Sequence, residues 1–323
     1  MLYVAPDAIR DAIGSALGRR TVIYYEGNDT DIHRLDADIA ALPRFDAVVG
    51  LGGGVAIDVA KYCAWRRKRP LWLVPSIMSV DACFSVPVAV RDNHRVVYIG
   101  ESRPEAIYID FDLIQAAPVH LNRAGIGDIL SCHTALYDWR LASNAYPRVI
   151  RWSDAIAAHT ARLLDDIRGN VDEIRQVTEN GIRCVMEGYR WVAETAPGVG
   201  GCFYEEGSEH FFAYTVEYLT ARRFLHGQLV CLGVYLMSLL QQNDPDAALA
   251  MIVGAGVDIR PQAVGLTTDE IYATLIEAPD QVARERYTHS IINERPLTPD
   301  ISREIVAEYN RTCLSMDSLL LRS

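Results

Sequence analysis

Three side chains in the second half of the sequence could together hold a metal ion, and each lies at or beside the start of a predicted helix. They are Asp128 in AGIGDILSCHTALYDWRLA, His210 in GSEHFFAYTVEYL and His226 in FLHGQLVCLGVYLM. Two imidazoles and one carboxylate form the three-ligand set of many catalytic zinc or iron sites, with a fourth position left open. Taken singly, each residue is more often a helix cap or a buried structural histidine, and no HExxH motif is present.

Other candidate ligands are weaker. Cys132 follows Asp128 by one helical turn and could substitute for a ligand, but it ranks well below the three. His133 is close to Asp128 in sequence but has no comparable partner segment, and His33 and His94 lie in polar loop contexts.

A glycine-rich turn in the first third of the chain predicts a phosphate site. The stretch VVGLGGGVAIDVAK (48–61) combines a strand, a turn at Gly52, Gly53 and Gly54, and a helix start. Glycines let the backbone approach a phosphate closely, and the helix start offers free N–H groups and a positive dipole end. The stretch matches neither a P-loop nor the six-residue dinucleotide fingerprint, so a plain tight turn is the alternative.

A second polar loop follows the next strand. VPSIMSVDA (74–82) carries Ser76, Ser79 and Asp81. Open α/β sheets bind ligands at the carboxyl ends of their strands, so the hydroxyls could donate to a phosphate and Asp81 could accept from a substrate hydroxyl. The alternative is a turn in which these side chains cap the local backbone.

Composition limits what the chain can do. Its 323 residues favour two domains, and a hydrophobic fraction of 50% is that of a globular protein. A net charge of −11 argues against nucleic-acid binding, and no stretch is apolar enough to span a bilayer. Seven scattered cysteines without a CxxC pair, and the absence of a signal peptide at the N-terminus, predict a reduced cytoplasmic protein.

The elements that must position these residues change character near Pro118. Strand and helix patterns alternate before it, which predicts an α/β domain with a mostly parallel, Rossmann-like sheet over residues 1–118. Helical periodicity dominates after it, for example over 148–167 and 228–242, which predicts an all-helical metal-binding domain over 119–323. The strand candidates are TVIYY (21–25), DAVVGLGGG (46–54), LWLVPS (71–76), RVVYIG (95–100) and AIYIDFD (106–112).

Together these motifs resemble the dehydroquinate synthase-like and iron-containing alcohol dehydrogenase superfamily, and within it the sn-glycerol-1-phosphate dehydrogenases. GLGGGVAIDVAK resembles the pyrophosphate loop of that family, and PSIMSVDA resembles its Pro-Thr-x-x-Ser segment and the acidic residue that follows. The Gly-x-Gly-Asp helix that ends in Asp-Trp-Arg-Leu-Ala is the most specific match, and GSEHFF and LHGQLVCLG resemble the two histidine segments.

The resemblance implies a role for each residue. It makes Asp128, His210 and His226 the ligands of a zinc ion, with iron or nickel as alternatives. It implies that the phosphates of NAD(P)H are bound by Gly52, Gly53, Gly54, Ser76 and Ser79. It also implies that Asp81 contacts the substrate. It also makes a homodimer plausible.

A basic segment near the C-terminus could bind the phosphate of a substrate. APDQVARERYTHS (278–290) resembles a stretch of the family with an Arg-Tyr-Thr signature. Its Arg284 and Arg286 are candidate phosphate ligands, because a guanidinium matches phosphate geometry. A surface salt bridge is an equal alternative for both.

One departure from the family divides the functional hypotheses. The family has two strands and two helices before the glycine loop, whereas the segment 28–45 predicts only one helix, so one strand–helix unit is expected to be missing. Glu26, after TVIYY, could still accept from the ribose of the cofactor, which favours a metal- and NAD(P)-dependent oxidoreductase of a small phosphorylated polyol or ketone. The alternative is a non-redox lyase or cyclase acting on a sugar phosphate, with dinucleotide binding lost, and a metal-stabilised protein without activity comes third.

Overall fold

A five-stranded parallel sheet forms the centre of the first of two compact units, Met1–Pro118 and Val119–Ser323. The computed structural model describes residues 1–6, 22–93 and 95–320. The sheet has the order β2-β1-β3-β4-β7, and all four of its strand pairs are parallel. Its strands are β1 (Leu2–Val4), β2 (Ile23–Tyr25), β3 (Val48–Gly52), β4 (Leu71–Pro75) and β7 (Ala106–Ile107).

Three described helices accompany this sheet: α1 (Ile32–Ala41), α2 (Gly54–Arg67) and α3 (Phe111–Gln115). Strands β3 and β4 alternate buried with half-buried residues, and their buried side chains join those of α1 and α2 in one apolar core. The α/β prediction for this unit is therefore confirmed.

One predicted strand lies outside the parallel sheet. RVVYIG belongs to β6 (Arg95–Glu101), which pairs antiparallel with β5 (Pro87–Asp92) in a separate two-stranded sheet. The sequence analysis missed β5, which pairs with β6, the next strand along the chain, and not with a strand of the main sheet. The prediction that RVVYIG is a strand is confirmed, and it pairs antiparallel because it follows β5 directly through a tight turn.

Two strands, and not one, precede the glycine turn. The segment 28–45 contains the single helix α1, as predicted, but Leu2–Val4 forms a further strand that pairs with both β2 and β3. A three-residue strand is too short to show periodicity, which is why the sequence analysis did not count it. The expected absence of a strand is thereby corrected, while residues 7–21 lie outside the described part of the chain.

All regular elements among the described residues of the second unit are helices, which confirms the predicted class. Its helices are α4 (Val119–Ala124), α5 (Gly127–Leu130), α6 (Cys132–Ala145), α7 (Asp154–Gly169), α8 (Val171–Gln176), α9 (Glu179–Val199), α10 (Ser208–Thr220), α11 (His226–Gln241), α12 (Pro245–Gly254), α13 (Pro261–Val264), α14 (Thr268–Glu285), α15 (Ile291–Glu294) and α16 (Pro299–Leu320). Helix α11 is buried along nearly its whole length, so it is the central element around which the others pack.

The predicted helix over 148–167 begins later than expected. Helix α7 starts at Asp154, because the Ser153 side chain accepts a hydrogen bond from the Ile156 N–H and caps the helix. Residues 148–153 are not helical. Among the described residues, no helix combines the length and the apolar character needed to cross a membrane.

Candidate metal centre

Asp128, His210 and His226 converge in the second unit. One donor atom from each lies within 4.8 Å of the other two, and Asp128 Oδ1 is 3.3 Å from His226 Nε2. Zinc bonds of about 2.1 Å in a tetrahedron place ligand atoms about 3.4 Å apart, so this separation fits two ligands of one ion. Asp128 and His210 are buried, and His226 is about a third exposed, so the cluster is open on the side of His226.

Two glycines bring Asp128 to His226. A Cβ atom added to Gly127 would lie 2.2 Å from the carbonyl oxygen of Gly227 and 2.7 Å from its Cα. Because these are backbone atoms, no side-chain movement could relieve the clash. The start of α5 can therefore touch the start of α11 only because Gly127 lacks a side chain, and each of the two glycines is the direct neighbour of a predicted ligand.

A third glycine brings α10 to α11. A Cβ atom on Gly233 would lie 2.5 Å from the carbonyl oxygen of Glu209. The two helices pack closely at this point, and His210 follows Glu209 directly. The rings of His210 and His226 are consequently 5.4 Å apart between their centroids.

Glu209 fixes the orientation of His210, and the sequence analysis missed it. Its carboxylate accepts from the Thr134 hydroxyl at 2.7 Å and from the Gly207 N–H at 2.6 Å, and lies 2.9 Å from His210 Nδ1. Since an ionised carboxylate only accepts, Nδ1 carries the proton and Nε2 is left as the metal-facing donor. The acidic residue beside the histidine in GSEH was the available signal.

Carboxylates surround His210. Burial acts to lower its pKa, but the hydrogen bond to Glu209 and the charges of Glu205 and Glu209 outweigh burial and raise the pKa to about 10. This pocket therefore attracts positive charge strongly, whether the charge is a proton on the imidazole or a divalent cation in place of the proton. The donor set and the charge both fit a transition-metal ion.

Asp138 supports the same region from behind. Its two oxygens accept from the Ser208 N–H at 2.8 Å and the Ile291 N–H at 2.7 Å, and so cap the first turns of α10 and α15. Burial and the charge of Glu209 raise the pKa of Asp138 to about 7. The Asp-Trp-Arg-Leu-Ala motif thus contributes a buried cap that holds the start of the helix carrying His210.

The weaker candidate ligands take other roles. Cys132 is fully buried, and burial raises its thiol pKa well above the usual value, so the thiol stays neutral; it is not part of the group of three. His133 Nε2 lies 2.7 Å from the Asn243 carbonyl oxygen, while the Asn243 amide donates to the His133 carbonyl at 2.9 Å, a structural pairing. His94 is outside the described residues.

The glycine turn of the first unit leaves no room for side chains. Gly52 has a φ of +150°, and a Cβ atom there would lie 2.7 Å from the Ala56 Cβ. Cβ atoms on Gly53 and Gly54 would lie 2.6 Å and 2.5 Å from side-chain atoms of Ile77 and Val80. Helix α2 has no side-chain cap at its start, so its first N–H groups can bind an anion.

The loop after β4 packs against that turn. The Ser76 N–H donates to the Gly52 carbonyl at 2.9 Å, which places Ser76 beside the glycines; Ser79 is buried. Asp81 is half-buried, and its carbonyl accepts from the N–H groups of Phe84 and Ser85. A substrate role for the Asp81 carboxylate stays a prediction.

Lys61 connects helix α2 to the loop after β4, and the sequence analysis missed it. It is 1% exposed, and its Nζ lies 3.2 Å from Asp58 Oδ1 and 3.1 Å from the Ala82 carbonyl oxygen. The ammonium therefore joins α2 to the loop that carries Ser79 and Asp81. Its place at the end of VAIDVAK, three residues after an aspartate, was the only signal.

Glu26 is exposed directly after β2, the edge strand of the sheet. Strand β1 lies between β2 and β3, so Glu26 follows a strand that is not adjacent to the glycine turn. A hydrogen bond from the cofactor ribose to Glu26 stays a prediction, and the strand order does not place Glu26 next to the glycine turn.

The two candidate arginines differ in their contacts. Arg284 lies 2.9 Å from Glu277 Oε1, bonds to Gln281, and places its guanidinium over the Tyr218 ring. For Arg284, these contacts agree with a surface salt bridge, the alternative to binding the substrate phosphate. Arg286 ends α14 with a left-handed backbone and is exposed, beside a tyrosine whose ring stacks on Phe211 of α10.

Comparison with known proteins identifies the family. The family described as iron-containing alcohol dehydrogenase matches residues 5–118. A glycerol-1-phosphate dehydrogenase [NAD(P)+] from Aeropyrum pernix is 30% identical over 267 residues, which cover 81% of this chain and 73% of that enzyme. The chain belongs to the iron-containing alcohol dehydrogenase family. A glycerol-1-phosphate dehydrogenase [NAD(P)+] from Methanococcoides burtonii is also 30% identical, over 80% of this chain and 71% of that enzyme.

Two solved structures share the fold of this chain. Glycerol dehydrogenase from Schizosaccharomyces pombe superposes with a TM-score of 0.70 at 20% identity, over 99% of this chain and 84% of that chain. The 2-epi-5-epi-valiolone synthase ValA from Streptomyces hygroscopicus subsp. jinggangensis, a structure with NAD+ and Zn2+ bound, superposes with a TM-score of 0.64 at 17% identity, over 95% and 91%. The sequence relatives thus confirm the family resemblance inferred from the motifs, and the solved structures confirm the fold.

Proposed function

We propose that this chain is a metal- and NAD(P)-dependent oxidoreductase that interconverts a small phosphorylated polyol and its ketone. The observation that carries the proposal is the meeting of Asp128, His210 and His226 donor atoms within 4.8 Å. The named activity of the curated relatives, glycerol-1-phosphate dehydrogenase [NAD(P)+], supports the reaction class and the phosphorylated substrate.

Each group of residues has a defined task. Asp128, His210 and His226 would hold the metal, and Glu209 would keep His210 in the tautomer that presents Nε2. A bound divalent ion acts as a Lewis acid that polarises the substrate oxygen and lowers the pKa of a hydroxyl. Zinc is our first choice for a set of two histidines and one carboxylate, ahead of iron and nickel.

The first unit would bind the cofactor, which takes up or delivers the two electrons of the reaction. The backbone at Gly52, Gly53 and Gly54 and the uncapped start of α2 would accept the pyrophosphate, with Ser76 and Ser79 as further donors. Glu26 would favour NAD(H), since a carboxylate accepts from a ribose hydroxyl and repels a 2′-phosphate. Asp81 would accept a hydrogen bond from the substrate.

The non-redox alternative has lost its main support. It was based on a missing strand–helix unit before the glycine turn, and Leu2–Val4 supplies the strand of that unit beside β3. The oxidoreductase is therefore the one function we propose.

The direct test is reduction of dihydroxyacetone phosphate by metal-loaded protein with NADH or NADPH. We expect consumption of reduced cofactor that requires the metal, and calorimetric binding of NADH that is tighter than that of NADPH. A variant with His210→Ala and His226→Ala should remain folded but lose the metal and all turnover. If neither cofactor binds at concentrations up to about 1 mM, a free energy near −4 kcal/mol, the redox proposal is wrong.

The phosphate part of the proposal has its own test. Arg286→Ala should raise KM for the phosphorylated ketone about ten- to a hundredfold, the loss of about 1.5–3 kcal/mol expected for a charged hydrogen bond. KM for unphosphorylated dihydroxyacetone should change little. Arg284→Ala is the matched control, because its guanidinium is already engaged by Glu277. Equal effects of Arg286→Ala on both substrates would show that Arg286 is structural.

A further inference from the structure

A fourth acidic side chain lies against the three candidate ligands. Glu205 belongs to the turn before α10, where its N–H and that of Glu206 both donate to the Cys202 carbonyl, at 2.9 Å and 2.7 Å. Its side chain is 9% exposed, and Oε1 lies 4.0 Å from His210 Nε2. A carboxylate this deeply buried needs a cation or strong hydrogen-bond donors around it.

Glu205 approaches His210 on the side of Nε2. Glu209 occupies Nδ1, so Nε2 is the nitrogen that faces the other ligands. Glu205 therefore reaches the imidazole from the metal side and not from the supporting side. Ligand atoms of a tetrahedral zinc ion are about 3.4 Å apart, so 4.0 Å is slightly longer than the spacing of two ligands.

We propose that Glu205 is a further protein ligand of the metal, which makes the site one of two histidines and two carboxylates, with the substrate oxygen as a fifth ligand. This rests on the metal site of the proposed function. The Glu205 oxygens are not in the group whose atoms all lie within 4.8 Å of one another, so a rotation of the side chain completes the set when the ion binds. Two carboxylates balance the charge of a divalent ion, and the added hard oxygen donor favours zinc or iron over copper.

The competing explanation is a salt bridge. In it, Glu205 serves as counter-ion of a protonated His210 and has no contact with the metal. Both explanations predict that removing the carboxylate alters the metal-free protein. They differ in what happens at the bound ion, so the test must measure the ion itself.

The test compares Glu205→Gln with Glu206→Gln. Glu206 is the neighbouring residue of the same turn, and its carboxylate accepts from the Tyr214 hydroxyl at 2.8 Å. Zinc dissociation constants come from competition with a chromophoric chelator, and the visible spectrum of the cobalt(II) form reports the number and type of ligands. We expect Glu205→Gln to raise the zinc Kd by about tenfold or more and to change the cobalt spectrum, with much smaller effects for Glu206→Gln.

The outcomes separate the two proposals. An unchanged cobalt spectrum and equal zinc Kd values in the two variants would overturn the role of Glu205, while metal binding that depends on His210 and His226 would leave the proposed function intact. Wild-type protein that binds no metal would overturn both. If Glu205→Gln does not fold, Glu205→Asp takes its place, since its shorter carboxylate should also alter the cobalt spectrum, and an unaltered spectrum would count against the ligand role.

Discussion

The candidate metal centre of the second unit and the glycine turn of the first are built in opposite ways. At the candidate metal centre, the functional groups are side chains, and buried carboxylates hold them in place. Glu209 fixes the orientation of His210, and Asp138 caps α10, the helix that carries Glu209 and His210. At the glycine turn, the missing side chains matter, because every added Cβ would meet an atom of the adjacent loop or helix within 2.7 Å.

The difference also concerns how each site is kept in place. Four interlocking groups support the metal centre: the contact of Gly127 with Gly227, the packing of Gly233, and the Glu209 and Asp138 hydrogen bonds. The glycine turn is linked to the next loop by the bond from the Ser76 N–H to the Gly52 carbonyl, and the helix that follows the turn is linked to that loop by one buried cation, Lys61. We therefore expect single substitutions to damage the glycine turn through stability and the metal centre through metal affinity.

The largest effect on stability is expected at Lys61. Lys61→Met removes the cation that lies between Asp58 and the Ala82 carbonyl, and removing one partner of a buried ion pair costs about 3–5 kcal/mol. Asp58 is 14% exposed, so the lower end, about 3 kcal/mol, applies. Urea unfolding measures the loss.

Lys68→Met is the matched control, because Lys68 ends the same helix and is exposed. Its free energy of unfolding should change by less than about 0.5 kcal/mol. Equal, small losses of unfolding free energy in the two variants would show that the buried ammonium does not stabilise the region of the glycine turn.

The second effect tests the backbone contact beneath the metal centre. Gly127→Ala places a Cβ atom 2.2 Å from the Gly227 carbonyl oxygen, so α5 and α11 must separate. Overpacking of this kind costs about 1–3 kcal/mol, and it moves Asp128 away from His226. We expect a zinc Kd raised by about a hundredfold, near 2.7 kcal/mol.

Gly169→Ala is the control for that substitution, since a Cβ atom on Gly169 has no heavy atom within 4 Å. It should leave both the zinc Kd and the stability close to wild type. Wild-type metal affinity in Gly127→Ala would mean that the Asp128 to His226 spacing is not set by the two glycines.

These two regions also show what could be predicted from sequence. Asp128, His210 and His226 were proposed together because their residue types are metal donors and each stands at a helix start in a family-like motif. Glu209 was not proposed, because its contact with His210 depends on the direction in which its own buried side chain points. That direction depends in turn on Thr134, 75 residues away. Sequence adjacency alone cannot give that direction.

The fold was predictable where patterns were long and not where they were short. Helix α11 and strands β3 and β4 have extended apolar patterns, and the predicted elements there agree with the structure. The three residues of β1 have no periodicity, and their strand conformation depends on pairing with β2 and β3. Strand β6 lies outside the main sheet because it pairs with β5, its neighbour along the chain, which the sequence analysis missed.

The third prediction concerns the orientation of His210. Glu209→Gln keeps the shape of the side chain but replaces the carboxylate that accepts from Nδ1. Loss of such a supporting carboxylate typically weakens metal affinity about ten- to a hundredfold. Chelator competition measures the zinc Kd, and Glu217→Gln, another buried glutamate of α10, is the control. Equal Kd values in the two variants would contradict the role of Glu209.

The last prediction concerns the pH dependence that Asp138 gives to stability. Burial and the charge of Glu209 raise its pKa from 3.8 to about 7 in the folded protein, so the folded state binds this proton more tightly than the unfolded state does. The contribution of Asp138 is therefore most favourable below about pH 4 and is lost as the pH rises through about 7. In Asp138→Asn this titration is absent, but one of the two helix caps loses its acceptor, which costs about 1 kcal/mol. Urea unfolding of metal-free protein should show wild type as the more stable at pH 5 and the difference reduced or reversed at pH 8. The raised pKa of His210 affects both proteins alike, so the difference between their curves isolates Asp138, and parallel curves would show that Asp138 does not titrate in this range.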